Sequence, residues 1–281
     1  MQERKITNEL ITEFEMYLYE EERSGNTIEK YMRDIRFFRE WLQDRNIDKS
    51  VVIEYKKELC ERYAVKSVNS MLSSINAFFI FMGWYDLKVK TLKIQRRIFA
   101  DKSKELSKTE YERLLAAAKN KNNERLYYLM QTIASTGLRV SEIKYVTCEA
   151  VRQGQAVINC KGKIRQIFLP KKLCKMLLSY IKERNIKSGS VFVTKTGKPL
   201  DRSHIWKMLK SLCEAAGVSR DKVFPHNFRH LFARTFYSLQ KDIVRLADIL
   251  GHSNIETTRI YTMESGAEHR KLLQKLGLLR C

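Results

Sequence analysis

The sequence predicts a mainly α-helical protein with one small β-hairpin, divided into an N-terminal helical domain and a larger C-terminal α+β domain. Three observations predict this class. Apolar residues recur at helical spacing through most of the first half. One short stretch, 156–169, alternates between apolar and polar residues, as strands do. Between the halves, the stretch 87–106 is rich in lysine and arginine and has little periodicity.

The first 86 residues are predicted to form a small all-α domain of four short helices. Apolar residues at helical spacing place these helices near 10–18, 28–42, 51–63 and 68–81. Asn26 and Thr27 offer a cap for the second helix, and Gly83 ends the fourth. We expect the aromatic side chains of this domain to lie in its core.

The start of the second domain is indicated by Ser107, which is followed three residues later by Glu110 in the pattern of a capping box. It predicts that the second domain, 107–281, begins here. The elements expected in it are helices at 108–119 and 124–136, strands at 156–160 and 165–169, a helix at 171–184, a short strand or extended segment at 191–193, helices at 202–216, 226–238, 242–250 and 255–261, and a last amphipathic helix from 267.

The charge of the chain predicts a polyanionic partner. The 281 residues carry a formal net charge of +21, which is large for a protein of this size. The charge is uneven: residues 1–106 contribute +2 and residues 107–281 contribute +19. The second domain is therefore the stronger candidate for contact with phosphates. In the linker we expect Lys93, Arg96 and Arg97 to follow a nucleic-acid backbone, the alternative being a solvated charged linker.

The cysteines and the apolar runs limit the class of protein further. The six cysteines form neither a CxxC pair nor a zinc-type array with histidines, and the opening residues are too charged for a signal sequence. We expect free thiols in a reducing cytoplasm. No apolar run approaches the roughly 20 residues needed to cross a bilayer, so no membrane partner is expected.

The residues that carry chemistry cluster near the end of the chain. The strings PHNFRH and LGHSNIETTRIYT contain His226, Arg229, His252 and Tyr261. A tyrosine can attack phosphorus only if other groups hold the phosphate and move protons. Arginine offers a planar fork of donors for phosphate oxygens, and histidine transfers protons near neutral pH. This combination predicts phosphoryl-transfer chemistry.

Two upstream residues could complete such a site. Arg139 stands in TGLRVSEI, where Gly137 permits a tight turn between two helices and lets an arginine project from a rigid junction. Lys161 stands at the predicted hairpin tip, in NCKGK. The alternatives are an exposed arginine in a salt bridge and a solvated turn lysine.

Together these four motifs, in this order, resemble the tyrosine recombinase (lambda-integrase-type) family over nearly the whole chain. The two-domain layout is similar to that of Xer-like members. The resemblance implies a helical core-binding (SAM-like) domain at 1–86, a basic linker at 87–106, and a catalytic domain at 107–281. It also implies that the segment 267–281 reaches into a neighbouring subunit, although packing on its own domain is the alternative.

The resemblance implies a role for each motif residue. Tyr261 corresponds to the nucleophile that forms a 3′-phosphotyrosyl link, and Arg139 and Arg229 to the pair that clamps the non-bridging oxygens. Glu142 corresponds to the acidic residue that supports the site from behind.

The remaining implied roles concern protons. His226 corresponds to the residue that assists proton transfer at the nucleophile, and His252 to the histidine that hydrogen-bonds the phosphoryl group. Lys161 corresponds to the lysine that protonates the leaving 5′-oxygen; the hairpin is shorter than is common, so Lys163 is a rival, and we favour Lys161. His230 follows Arg229 directly, so we expect it to point elsewhere and to be structural.

The implied function is site-specific DNA recombination by a homotetramer on duplexes with inverted half-sites, without metal or other cofactor. The resemblance also allows a partner recombinase or a directionality factor, and it implies a cytoplasmic protein at the nucleoid. Integration or excision of a mobile element and Xer-type resolution both remain open. The alternatives are a type IB topoisomerase-like enzyme and a non-catalytic DNA-binding protein.

Overall fold

The computed structural model describes residues 4–43, 45–94, 102–160, 163–194, 196–263 and 274–275, with the side chains of Lys102, Cys160 and Lys163 left aside. Contacts divide the chain into two compact units, Met1–Arg96 and Arg97–Cys281. The described residues form twelve α-helices and one two-stranded antiparallel sheet. The predicted fold class is therefore confirmed.

The first unit contains four helices, as predicted: α1 Asn8–Glu20, α2 Gly25–Leu42, α3 Lys49–Arg62 and α4 Val65–Phe81. Its core is aromatic, and the fully buried rings include Phe14, Phe38 and Phe78. Helix α2 begins earlier than the sequence suggested, because Ser24 occupies the cap position and its hydroxyl lies 2.8 Å from that of Thr27. No helix among the described ranges of the chain is both long and apolar enough to cross a membrane.

The second unit begins at the predicted capping box, in which Ser107 Oγ accepts from the Glu110 amide at 3.1 Å and a Glu110 carboxylate oxygen accepts from the Ser107 amide at 2.8 Å. Its elements are α5 Lys108–Asn120, α6 Glu124–Thr136, α7 Cys148–Gln153, β1 Gln155–Cys160, β2 Lys163–Phe168, α8 Lys171–Glu183, α9 Arg202–Lys210, α10 Cys213–Ala216, α11 Pro225–Gln240 and α12 Ile243–Leu250.

The hairpin has its predicted place, with each strand starting slightly earlier than expected. Cys160 pairs with Lys163, so the two strands are separated by residues 161–162, which lie outside the described residues. Ile158 and Ile167 are buried on one face, and Val157, Ile164 and Phe168 are exposed on the other. The buried face packs the hairpin onto the main core of the second unit.

Three of the predicted elements differ in the structure. The helix expected at 202–216 divides into α9 and α10, and the segment 191–193 forms only an isolated bridge between Val193 and Pro199. The helix expected at 255–261 is wrong: two 3₁₀ turns, Ile255–Thr257 and Arg259–Tyr261, replace it. β-branched residues crowd this stretch and disfavour a regular α-helix, and the amide of Thr258 bonds the Ile255 carbonyl three residues back.

The end of the predicted linker is held by α11. The Asn227 amide group donates to the Lys104 carbonyl at 2.9 Å, and Arg234 forms an ion pair with Glu105. Leu106 is buried in the core of the second unit. Residues 104–106 are therefore part of the packed second unit and not of an extended linker.

Candidate active site

Three segments that are distant in the sequence meet at one place in the second unit. They are the turn after α6, the first half of α11, and the end of α12 with the two 3₁₀ turns that follow. These segments bring together Arg139, Arg229, His252 and Tyr261. The strings that the sequence analysis singled out are therefore neighbours in the fold.

Two glycines make this meeting of helices possible. Gly137 ends α6 with φ +66°, and a Cβ there would lie 2.5 Å from the ring of Phe232. Gly251 ends α12 with φ +63°, and a Cβ there would lie 2.7 Å from the side chain of Arg165. Both the left-handed backbone and the close approach require glycine. Each glycine also turns its carbonyl toward an arginine of the site.

Arg229 is the buried cation of the site, with only 1% of its surface exposed. Its Nη1 donates to the Gly137 carbonyl at 2.6 Å and its Nη2 to the Leu250 carbonyl at 2.7 Å. These carbonyls lie at the C-terminal ends of α6 and α12, where the helix dipole favours a positive charge. Burial, with Arg139 nearby, lowers the pKa of Arg229 to about 10, so it stays charged at neutral pH.

Glu142 lies behind Arg139 and is almost fully buried. One carboxylate oxygen accepts from Arg139 Nη1 at 3.0 Å, and the other accepts from the Arg139 amide at 2.7 Å and from Arg165 Nη2 at 2.6 Å. Arg139 Nη2 also donates to the Gly251 carbonyl at 3.2 Å. The guanidinium of Arg139 is thus fixed on two sides while part of it stays exposed.

Arg165 is a residue of the site that the sequence analysis missed. It pairs with the buried Ile158 across the hairpin and so lies on the core-facing side of β2. Its Nη1 donates to the Ile249 carbonyl at 2.6 Å in addition to its bond with Glu142. An arginine that alternates with the buried Ile167 on the core-facing side of β2 is the signal that could have found it.

The site carries an excess of positive charge. Among the residues that the structure describes, Arg139, Arg165 and Arg229 lie together around the carboxylate of Glu142. Positive groups brought together in a partly dehydrated place repel each other unless an anion joins them. The arrangement is therefore suited to a bound anion, and the exposed side of Arg139 gives such an anion access.

Tyr261 is buried against a small separate core formed by Ala233, Leu246 and Leu250. Its hydroxyl lies close to the guanidinium of Arg229. Burial raises the pKa of Tyr261, and the positive charges of Arg229 and Arg139 oppose that rise. The nucleophile expected from the sequence thus lies beside the buried cation, with its ring held by apolar side chains.

His252 connects Arg229 with the segment that carries Tyr261. Its Nε2 lies 3.0 Å from Arg229 Nη2, and its Nδ1 lies 2.8 Å from the hydroxyl of the buried Thr258. The imidazole is nearly parallel to the Tyr261 ring, with the centroids 6.3 Å apart and 13° between the planes. Burial and the neighbouring arginines lower the pKa of His252 to about 4, so the ring is neutral at neutral pH.

His230 contacts Tyr261, and the expectation that it points away from the site is wrong. Its ring meets that of Tyr261 edge to face at 4.8 Å and that of His226 at 4.4 Å. His226 is exposed, and partial loss of water together with nearby arginines lowers its pKa. His226 and His230 are four residues apart on α11 and therefore share one face, which the sequence spacing could have shown.

The lowered pKa of His230 predicts a loss of stability in mild acid. Burial lowers the pKa of His230 to about 4 from an ordinary 6.5, so the unfolded chain takes up the proton first as pH falls. We expect the free energy of unfolding to decrease between pH 6.5 and 4, in chemical denaturation at each pH. His230→Phe should flatten this slope. Equal slopes in the variant and the wild type would contradict the lowered pKa of His230.

Most of the other predicted site residues lie outside the described part of the chain. Lys93 is described and is exposed. Arg96, Arg97, Lys161 and the side chain of Lys163 lie outside the described residues, as does the segment 267–281 apart from residues 274–275. Their roles stay predictions.

Comparison with known families identifies both units of the chain. Residues 104–268 match the phage integrase family, and residues 11–84 match the phage integrase N-terminal SAM-like domain. The chain belongs to the phage integrase family. The resemblance to tyrosine recombinases seen in its motifs is thereby confirmed.

Relatives of this integrase-family chain cover nearly its full length. It is 31% identical to the tyrosine recombinase XerA of Thermococcus kodakarensis, over 97% of this chain and 96% of that protein. The crystal structure of XerA recombinase is 26% identical with a TM-score of 0.54, covering 98% of this chain and all of that one. A lambda integrase tetramer bound to a Holliday junction shares the fold at 18% identity with a TM-score of 0.72, over 92% of this chain and 78% of that one.

Proposed function

We propose that this chain is a site-specific DNA recombinase that cuts and rejoins DNA through a covalent bond between Tyr261 and a 3′-phosphate. The observation that carries the proposal is the placement of the Tyr261 hydroxyl close to the buried guanidinium of Arg229, in a site rich in positive charge. A nucleophile held beside fixed cations is what attack on a phosphodiester requires.

The proposed reaction exchanges one phosphate ester for another. The Tyr261 oxygen forms a bond to phosphorus while the bond from phosphorus to the 5′-oxygen breaks, and the leaving oxygen takes a proton to become a 5′-hydroxyl. Attack by the 5′-hydroxyl of another strand reverses these steps. The ester linkage is kept throughout, so ATP is not required. Arg139 and Arg229 stabilise the negative charge that spreads over the non-bridging oxygens.

The proton transfers are assigned to the remaining residues. The phenolic proton of Tyr261 leaves toward the histidine pair of α11, in which His230 contacts the tyrosine ring and His226 reaches solvent. Lys161 is proposed as the acid at the leaving oxygen, with Lys163 as its rival. Glu142 supports Arg139 by orienting its guanidinium.

We assign the domains and the assembly as part of the same proposal. Residues 1–86 form the core-binding domain, 87–106 the basic linker with its last three residues packed on the second unit, and 107–281 the catalytic domain with an exchange segment at 267–281. The working form is a homotetramer on two duplexes with inverted half-sites, acting in the cytoplasm at the nucleoid, with a partner recombinase or directionality factor where the reaction needs one. The lambda integrase tetramer on a Holliday junction, which shares this fold, supports this choice over a monomeric topoisomerase.

Cleavage is expected to proceed without a divalent metal ion, because the arginines supply the positive charge that metal ions supply in many nucleases. The assay uses a duplex nicked near the cleavage point, on which the covalent adduct accumulates. We expect a normal yield of adduct in excess chelator. Complete loss of the adduct, restored by Mg²⁺, would contradict the proposed mechanism.

Lys161→Ala is expected to slow cleavage by roughly 10²–10⁴-fold, the usual contribution of general acid catalysis, and Lys163→Ala much less. A 5′-phosphorothiolate duplex has a leaving group that needs no proton. It should restore the rate of the Lys161 variant and leave an Arg139→Ala variant slow. Rescue of the Lys163 variant alone would exchange the two assignments.

A further inference from the structure

A hydrogen bond to Thr258 links His252 to the two 3₁₀ turns that end at Tyr261. Thr258 is completely buried, and its hydroxyl oxygen lies 2.8 Å from His252 Nδ1. Its carbonyl accepts from the amide of Tyr261 at 3.0 Å. One threonine therefore orients the imidazole and anchors the backbone of the proposed nucleophile.

The hydrogen bonds of His252 define its tautomer in the free protein. A guanidinium has N–H donors and no acceptor, so His252 Nε2 must accept from Arg229 at 3.0 Å. The neutral ring then carries its proton on Nδ1 and donates it to the hydroxyl of Thr258. In this form the nitrogen beside the arginine is an acceptor, which cannot bond a phosphoryl oxygen because that oxygen also accepts.

To donate a hydrogen bond to a phosphate, His252 must therefore carry a proton on Nε2. A charged ring would donate from both nitrogens, but burial and the nearby Arg229 and Arg139 lower its pKa to about 4 and disfavour that form at neutral pH. The neutral alternative carries the proton on Nε2. One proton leaves Nδ1 for water and another enters Nε2 from water, so the charge of the ring does not change. Nδ1 then needs a donor.

We propose that Thr258 is a positioning residue that lets His252 exchange tautomers when a DNA phosphate enters the site. Its hydroxyl accepts the Nδ1 proton in the free protein and donates its own proton to Nδ1 in the complex. A carbonyl or a carboxylate at this place could only accept, and it would keep His252 in the free-protein tautomer. This inference rests on the proposed function, since it takes the entering group to be a phosphate of DNA.

Two substitutions separate the hydroxyl from the shape of the side chain. Thr258→Val keeps the shape and leaves a buried ring nitrogen without a partner, so we expect adduct formation on the nicked duplex to slow by about 10- to 100-fold at saturating protein. Thr258→Ser keeps the hydroxyl and should restore most of the rate. Equal rates for Val and wild type, or a Ser variant as slow as Val, would overturn the inference.

The tautomer of His252 can be measured directly, with Thr258 in place, by ¹⁵N NMR of histidine-labelled Tyr261→Phe protein. Spectra are compared for the free protein and for the protein bound to an uncut duplex. We expect the His252 proton on Nδ1 in the free protein and on Nε2 in the complex. The same tautomer in both states would overturn the inference. A wild-type protein that forms no adduct would instead contradict the proposed function, on which the tautomer reading does not depend.

Discussion

Tyr261→Phe is expected to bind DNA as tightly as the wild type and to form no covalent adduct. The change removes one oxygen, while the ring keeps its contacts with Ala233, Leu246 and Leu250 and the arginines stay in place. Covalent catalysis has no substitute for the lost nucleophile. Binding is measured by titration of a labelled duplex, and adduct formation with the nicked duplex.

Tyr237→Phe is the matched control for that experiment. Tyr237 packs on the same small core as Tyr261, and its substitution removes the same atom. The control should form adduct at the wild-type yield. An adduct of normal yield from the Tyr261 variant would refute the assignment of the nucleophile, and loss of the adduct in both variants would point to damage to the small core.

Arg229→Lys should slow adduct formation by roughly 10²–10³-fold, the cost typical of losing one fixed donor at the developing charge. Lysine keeps the positive charge but not the planar fork, so it cannot reach Gly137, Leu250 and His252 together. The buried carbonyls left without a donor should also lower the free energy of unfolding by about 1–3 kcal/mol. Arg152→Lys, at an exposed arginine of α7, is the control for replacing an arginine by a lysine.

The two effects of Arg229→Lys test different parts of the account. Slow cleavage in a protein of normal stability would still mean that the guanidinium of Arg229 binds the phosphate. Normal cleavage in a destabilised protein would mean that Arg229 only joins the ends of α6 and α12, and it would remove the cation from the proposed mechanism.

The sequence was enough to single out the residues to which we assign direct roles. Arg139, His252 and Tyr261 stand in strings whose residue types and order point to phosphoryl transfer, and the helices of the first unit follow from apolar spacing. The fold brings the three residues together through Arg229 and through the ends of α6 and α12. Spacing along the chain contains no information on which helix ends will meet.

The residues that act through others were harder to predict. Arg165 is held by Glu142 and by the Ile249 carbonyl, contacts that join positions far apart in the chain. Adjacency to Arg229 suggests that His230 points away from the site, but its spacing of four residues from His226 places both histidines on one face of α11. The two 3₁₀ turns that end at Tyr261 are held by hydrogen bonds of the Thr258 backbone and hydroxyl, which the apolar spacing of the segment does not show.

The central claim is that Tyr261 becomes joined to a 3′-phosphate of DNA. Its most direct test is mass spectrometry of the trypsin-digested adduct from the nicked duplex, with each DNA strand end labelled. We predict a nucleotide on the peptide of residues 260–270, located at Tyr261 by fragmentation, and a free 5′-hydroxyl on the released strand. A nucleotide on any other residue, or a link to a 5′-phosphate, would contradict the account.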